Sequence, residues 1–159
     1  MAIERNELRR VMGHFATGVT IITTTSKEGQ LFGLTANSIT SVSLDPPLLL
    51  ISVDKKAESY PHFEQSKVFT VHFLTDEQES LSRKFAVSGG DKFQGVAYRM
   101  GANGVPILDG VLGYVECKLY AVYDGGDHTL YLGEVMQAEV REGKPLLFYR
   151  GGYRAFGDD

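Results

Sequence analysis

The residues of this sequence that could do chemistry gather in three places. Hydroxyls crowd Thr35-Ala36-Asn37-Ser38 and recur at Ser41, Ser52 and Ser59. Cations stand near them at Lys55 and Arg83, and a late stretch, Gly125-Gly126-Asp127-His128, presents a histidine at a turn. Short hydroxyls donate well to ligand oxygens. An ammonium or guanidinium neutralises phosphate, the guanidinium with a bidentate fork. Taken alone, each feature also has a bland reading. A Ser/Thr cluster is ordinary turn chemistry, Lys55-Lys56 and Arg83-Lys84 read as solvated charge, and His128 as a turn residue.

Metal and nucleophile chemistry gain nothing from the spacing. His14, His62, His72 and His128 are scattered, and none pairs with another histidine or with Cys117 at metal-ligand spacing. Cys117 is the only cysteine, so no intrachain disulfide forms, as suits a reducing, cytoplasmic compartment. Its place on the apolar side of a strand pattern reads as a small buried hydrophobe. No phosphate-binding G-x-x-x-x-G-K-[ST] loop, dinucleotide G-x-G-x-x-G turn or G-x-S-x-G elbow occurs.

The elements that must position these groups read mostly as strands. Leu8, Val11, Met12 and Phe15 recur at helical spacing, and Thr17-Gly18 ends that helix. The β-branched run 19–25 predicts a strand, turned by Ser26-Lys27-Glu28-Gly29 into a second over 31–36. Asp45-Pro46-Pro47 excludes a central strand there, and the apolar run 48–53 predicts one covered on both sides. A strand over 68–74 follows. Thr75 and Gln78 have capping-box spacing, which predicts a helix over 76–85 that stops near Gly89-Gly90. Two long runs, 113–123 and 129–140, predict a hairpin with one dry face that carries Val115, Cys117, Leu119 and Ala121. Glu142-Gly143-Lys144-Pro145 then turns into a strand over 146–149. Many strands, few helices and short turns favour an antiparallel barrel with peripheral helices, a sandwich being the alternative.

Composition excludes several classes. The 159 residues suit one domain over 1–159. A net charge of −4 with acids and bases interspersed offers no basic stripe for nucleic acid. The longest aliphatic run, 48–51, falls far short of the roughly 20 residues a bilayer needs, and Glu4-Arg5-Asn6-Glu7 resembles no secretory signal.

Three segments in order go further. Phe15-Ala16-Thr17-Gly18-Val19-Thr20 leads into Gly33-Leu34-Thr35-Ala36-Asn37-Ser38 and Ser41-Val42-Ser43-Leu44-Asp45-Pro46-Pro47. Ser82-Arg83-Lys84-Phe85-Ala86 follows. Last come Gly126-Asp127-His128, Gly133-Glu134-Val135 and Pro145-Leu146-Leu147-Phe148-Tyr149-Arg150-Gly151. From about residue 8 to 153 the chain resembles the short-chain flavin reductases, the small components of two-component flavin-dependent monooxygenases such as phenol, 4-hydroxyphenylacetate and styrene hydroxylases.

That resemblance implies a mainly β, split antiparallel barrel that binds FMN or FAD. It also implies a homodimer, NADH (or NADPH) as co-substrate with NADH preferred, and a separate oxygenase that receives reduced flavin. By resemblance Thr35, Ala36, Asn37, Ser38 and Ser41 line the flavin. Ser52, Val53, Asp54, Lys55 and Ser59 follow its ribityl chain and phosphate, and Arg83, Phe85 and Ala86 complete the pocket. His128, Tyr149, Arg150 and Tyr153 meet the nicotinamide dinucleotide. Hydride passes from nicotinamide C4 to flavin N5, so the protein stacks two rings at about 3–3.5 Å and needs no general base. Two other readings stay open: a flavin- or heme-binding split barrel without turnover, and a flavin-dependent oxidase akin to the pyridoxamine-phosphate oxidases. Pro46-Pro47 and the Gly126-Asp127-His128 turn fit the reductases better.

Overall fold

The structure, a computed structural model, describes residues 2–157. Its elements in chain order are α1 (Arg5–Met12), β1 (Thr17–Gly18), β2 (Thr20–Thr25), β3 (Leu31–Ala36), β4 (Ile39–Leu44), β5 (Pro47–Asp54), α2 (Tyr60–Ser66) and β6 (Val68–Phe73). They continue with α3 (Glu79–Phe85), β7 (Tyr98–Met100), β8 (Pro106–Leu108), β9 (Gly113–Gly125), β10 (His128–Val140), β11 (Leu146–Tyr149) and β12 (Gly152–Ala155). All strand pairs are antiparallel.

The 7-stranded sheet runs β3-β2-β6-β9-β10-β5-β4. Its two edges, β3 and β4, are consecutive in the chain and joined only by Asn37 and Ser38. A sheet whose terminal strands follow one another must curl until its edges approach. These edges do not pair, so the barrel stays split, and Asn37-Ser38 crosses the seam.

Alternation along β2 explains two cores. Ile22 faces the barrel interior with Leu49, Ile51, Val53, Phe69, Cys117 and Tyr131, and Phe63 of α2 joins them. Ile21 faces outward, into a second cluster with Leu74, Phe85, Phe93, Ile107, Leu108 and Tyr114. Each large apolar side chain so covered contributes roughly 1.5–3 kcal/mol. Close packing demands glycine at 133, where a Cβ would meet the Phe69 ring at 2.5 Å and Cys117 Cβ at 2.8 Å. Burial lifts the Cys117 thiol to a pKa of about 12.

Several expectations need correction. Helix α1 ends at Met12, and Thr17-Gly18 begins pairing with β11 instead of merely stopping a helix. Its apolar stripe faces out: Leu8 is 47% exposed and Phe15 72%. Helix α3 starts at Glu79, not 76, because Thr75 and Asp76 are drawn to the 144–145 turn through a Thr75–Pro145 bridge and an Asp76 N–H bond to Lys144 O. Half of the capping box does form, since Gln78 Oε1 accepts the Thr75 N–H at 3.0 Å. Strand β5 is dry on its inner side and only half-covered at Leu50 and Ser52. The base of β9 is dry on both faces, for Tyr114 and Glu116 are buried beside the β7–β8 segment. Among the described residues no helix is long and apolar enough to cross a membrane.

Candidate functional site

Strand β3 organises the site. As an edge strand it exposes backbone on one side, and a cavity lies at either end of it. At its C-terminal end Thr35, Ala36 and Asn37 meet Val19, Ala86, Phe148 and Tyr153 around a cavity of about 230 Å³. The walls are locked by hydroxyls. Thr35 Oγ1 donates to Ser82 O at 2.6 Å, the buried Ser82 Oγ meets Tyr153 OH at 2.7 Å, and Asn37 Nδ2 donates to Thr17 Oγ1 at 3.2 Å. These contacts fasten α3 to β3, β12 to α3 and the seam to β1, leaving small Ala36 and Ala86 as the open floor.

At the other end of β3 a cavity of about 610 Å³ is lined by Phe32, Gly33, Ser59, Lys92 and Tyr98 among others. Ser59 is 3% exposed, and its Oγ has no hydrogen-bond partner among the described residues. A buried hydroxyl without a partner costs free energy, which a ligand oxygen would recover. Lys92 donates from Nζ to Gly33 O and Phe85 O, each at 3.1 Å. Desolvation holds its pKa below the ordinary lysine value. A bare hydroxyl and a half-buried ammonium suit a phosphate.

The remaining expected residues divide. Ser38, Ser41 and Ser52 stand across the seam, where the Ser52 N–H donates to Ser38 O at 3.1 Å and Ser41 is exposed on β4. Asp54 lies opposite His128 in the β5–β10 register. The side chains of Val53 and Phe85 are 0% and 1% exposed, so each fills a core and offers a ligand only its backbone. Lys55 is not an open cation: Nζ meets Asp124 Oδ1 at 2.6 Å, which raises the lysine pKa and lowers that of the carboxyl. Arg83 pairs with Glu79 at 2.9 Å and lies 4.8 Å over the Tyr153 ring.

Of the four residues expected at the nicotinamide, Tyr153 belongs to the wall of the smaller cavity. Tyr149 packs edge-on to His14, and Arg150 lines a different hollow beside α1. His128 sits at the β9–β10 tip with Nδ1 on Asp127 Oδ1 at 2.7 Å, a bond that depresses the Asp127 pKa; it lines neither cavity on β3. Sequence reading missed Lys92. Its one signal was the Gly89-Gly90 pair just before it, read as a helix stop and found at φ 90 and 70, which folds the loop back over β3. Among the described residues no three His, Cys, Asp or Glu side chains gather as metal ligands.

The comparisons with known proteins agree with this architecture. The family model for the flavin reductase like domain matches residues 12–157. The chain is 42% identical over 159 residues to the flavin-dependent monooxygenase reductase subunit HsaB of Rhodococcus jostii, covering 99% of this chain and 81% of that protein. It is 41% identical over 148 residues to the FMN reductase (NADH) SmoA of Agrobacterium fabrum, covering 93% and 84%. A Streptomyces globisporus NADH:FAD oxidoreductase, solved in complex with NAD and FAD fragments, superposes with a TM-score of 0.93 at 40% identity, over 98% of this chain and 94% of that one. With the split barrel, the seam and 146 matched positions from 12 to 157 in hand, the chain belongs to the flavin reductase like family.

Proposed function

We propose that this protein oxidises NADH and delivers the electrons to FMN or FAD, for use by a separate flavin-dependent oxygenase. The observation that carries the reading is the pair of cavities strung along β3. One has a small-residue floor at Ala36 and Ala86; the other holds the unpartnered Ser59 hydroxyl and Lys92. In this reading the Thr35, Ala36 and Asn37 backbone takes the polar edge of the isoalloxazine, and Ser59 with Lys92 takes the phosphate. The redox chemistry is the flavin's own, hydride acceptance at N5. The chain orients the ring, shields one face with β3, and leaves the other open to the nicotinamide. By the resemblance His128 meets that ring, from the β9–β10 tip outside both cavities, and no side chain is required as a general base.

The same reading includes a homodimer and a cytoplasmic setting. Leu44 is 92% exposed, Val140 79% and Met136 57%, on strands that a second copy would cover. The lone buried thiol suits a reducing compartment. The names of the relatives support NADH as donor and leave FMN and FAD both in play. The test is a flavin titration followed by NADH oxidation without any partner protein. We expect saturable binding of FMN or FAD and NADH-dependent bleaching. A protein that binds no flavin ends the proposal, and one that stays yellow with NADH and NADPH is a binding module.

A further inference from the structure

Between the end of α3 at Phe85 and the start of β7 at Tyr98 the chain returns to β3 with no helix or strand of its own. This segment has two unlike halves. Residues 87–90 are exposed and, among the described residues, make no hydrogen bond. Gly89 and Gly90 sit there at φ 90 and 70, and a Cβ on either would meet nothing within 4 Å. They serve the path of the backbone, not packing. Residues 91–96, by contrast, hold themselves together. Asp91 Oδ1 accepts the Phe93 N–H at 3.0 Å, Asp91 O the Gln94 N–H at 3.3 Å, and Phe93 O the Val96 N–H at 3.0 Å. A self-bonded turn therefore hangs on an unbonded hinge.

Two side chains bring that turn down onto the body. The Phe93 ring, only 8% exposed, meets Phe85 and Tyr98 edge-on at 5.2 and 5.6 Å. Lys92 Nζ donates to Gly33 O and Phe85 O, so it spans β3 and the end of α3. A third tie, Lys84 Nζ to Gln94 O, starts from an exposed lysine. The Lys92 latch is incomplete. Its half-buried ammonium is desolvated yet meets two neutral carbonyls, and no carboxylate pairs with it among the described residues. An ammonium has three donors, which leaves one for an anion. Gly90, Asp91, Lys92 and Phe93 line the same cavity of about 610 Å³ as the unpartnered Ser59 hydroxyl. Lifting the turn removes one wall of that cavity.

We propose that residues 87–96 form a lid on the Ser59–Lys92 cavity, hinged at 87–90, latched to β3 by Lys92 and locked by the phosphate of a bound flavin. The phosphate supplies the counter-charge that the two carbonyls lack. Retention of flavin is thereby tied to its phosphate, and a flavin without one leaves through an unlocked lid. The inference rests on the flavin site proposed above and adds a moving part to it.

Limited chymotrypsin digestion of the full-length protein tests the latch before any flavin is added. Cleavage after Phe93 requires that ring to leave its pocket, so its rate follows the open population. Lys92→Met should speed this cut about tenfold, the size of a hydrogen bond from a charged donor, while the cut after the exposed Phe15 keeps its rate. FMN should slow the cut after Phe93 about tenfold in the wild type, riboflavin less than twofold, and Lys92→Met should abolish the FMN effect. Stopped-flow binding of riboflavin, which has no phosphate for Lys92 to touch, separates a lid from a contact. Lys92→Met should raise its association and dissociation rates together, severalfold each. A rise in the dissociation rate alone overturns the lid, as does a cut after Phe93 that is equally slow in both proteins. A variant that is cut faster at every site, with a lower melting temperature, also overturns it, for Lys92 would then hold up the fold. FMN that binds without slowing the cut overturns the phosphate lock. A latch released by Lys92→Met in a protein that binds no flavin leaves the lid standing and removes the flavin reading instead.

Discussion

At the scale of single residues, chemistry at this site is a matter of placement. His128 bonds Asp127 at 2.7 Å and stays about a third exposed at a hairpin tip. It touches no wall of the cavities on β3, so its removal should leave flavin affinity nearly intact. We expect His128→Ala to raise KM for NADH severalfold while the flavin dissociation constant moves less than twofold, roughly the loss of one hydrogen bond. Stopped-flow reduction alongside a flavin titration checks this, and unchanged nicotinamide kinetics would take His128 out of the site. Ser59 should behave in the opposite way. Its hydroxyl has no partner within the described protein, so Ser59→Ala should leave stability unchanged or slightly improved yet weaken FMN binding about tenfold. Thermal melts with and without FMN separate the two effects. Cys117, with its thiol pushed up to about 12, should react with a thiol reagent only after unfolding.

At the scale of elements, buried polar side chains fasten pieces whose own propensity is weak. His72 on β6 is 0% exposed. Nδ1 donates to Ile21 O on β2 at 2.8 Å, and Nε2 accepts the Leu108 N–H of β8 at 3.1 Å. One neutral imidazole therefore clamps the 3-residue β8 to the barrel. Burial lowers its pKa from 6.5 to about 4. Below pH 6.5 the unfolded chain takes up a proton that the native ring refuses, so stability falls with pH down to about 4, by up to about 3 kcal/mol. Urea unfolding at pH 7, 6 and 5 should show this slope, and His72→Gln should flatten it. Parallel slopes would mean that other groups carry the pH dependence. Such clamps also mark what the sequence leaves illegible. β2, β5, β6, β9 and β10 announce themselves by β-branched or alternating runs, and Thr35, Ala36, Asn37 and Ala86 by the motif around them. β7, β8 and β12 span only 3 or 4 residues each and owe their shape to partners distant in sequence. Asn103, for example, donates its N–H to the buried Glu116 carboxylate and its side-chain amide to Phe69 O, each at 3.2 Å. Lys92 was illegible for the same reason, since its carbonyl partners at Gly33 and Phe85 come together only when the loop folds over β3.

At the scale of the whole molecule, the split barrel has a dry interior and leaves large apolar side chains exposed on β4, β9 and β10, with β5 between β10 and β4. Leu44, Val42, Met136, Val140, Tyr120 and Val122 all lie at least 40% exposed on β4, β9 and β10. Covering a leucine-sized side chain contributes roughly 1.5–3 kcal/mol, so a few such residues drive association while adding nothing to the fold of one chain. Leu44 offers the sharpest separation. At 92% exposure it holds up no core, and a carboxylate in its place is solvated in a monomer but desolvated in a dimer. We expect the wild-type chain to scatter light as a dimer. Leu44→Asp should weaken the dimer about 100-fold, the cost of about 3 kcal/mol, with the urea midpoint of the dilute monomer unchanged. A wild-type mass of one chain at micromolar concentration would refute the homodimer outright. A Leu44→Asp protein that stays dimeric would move the contact away from the end of β4.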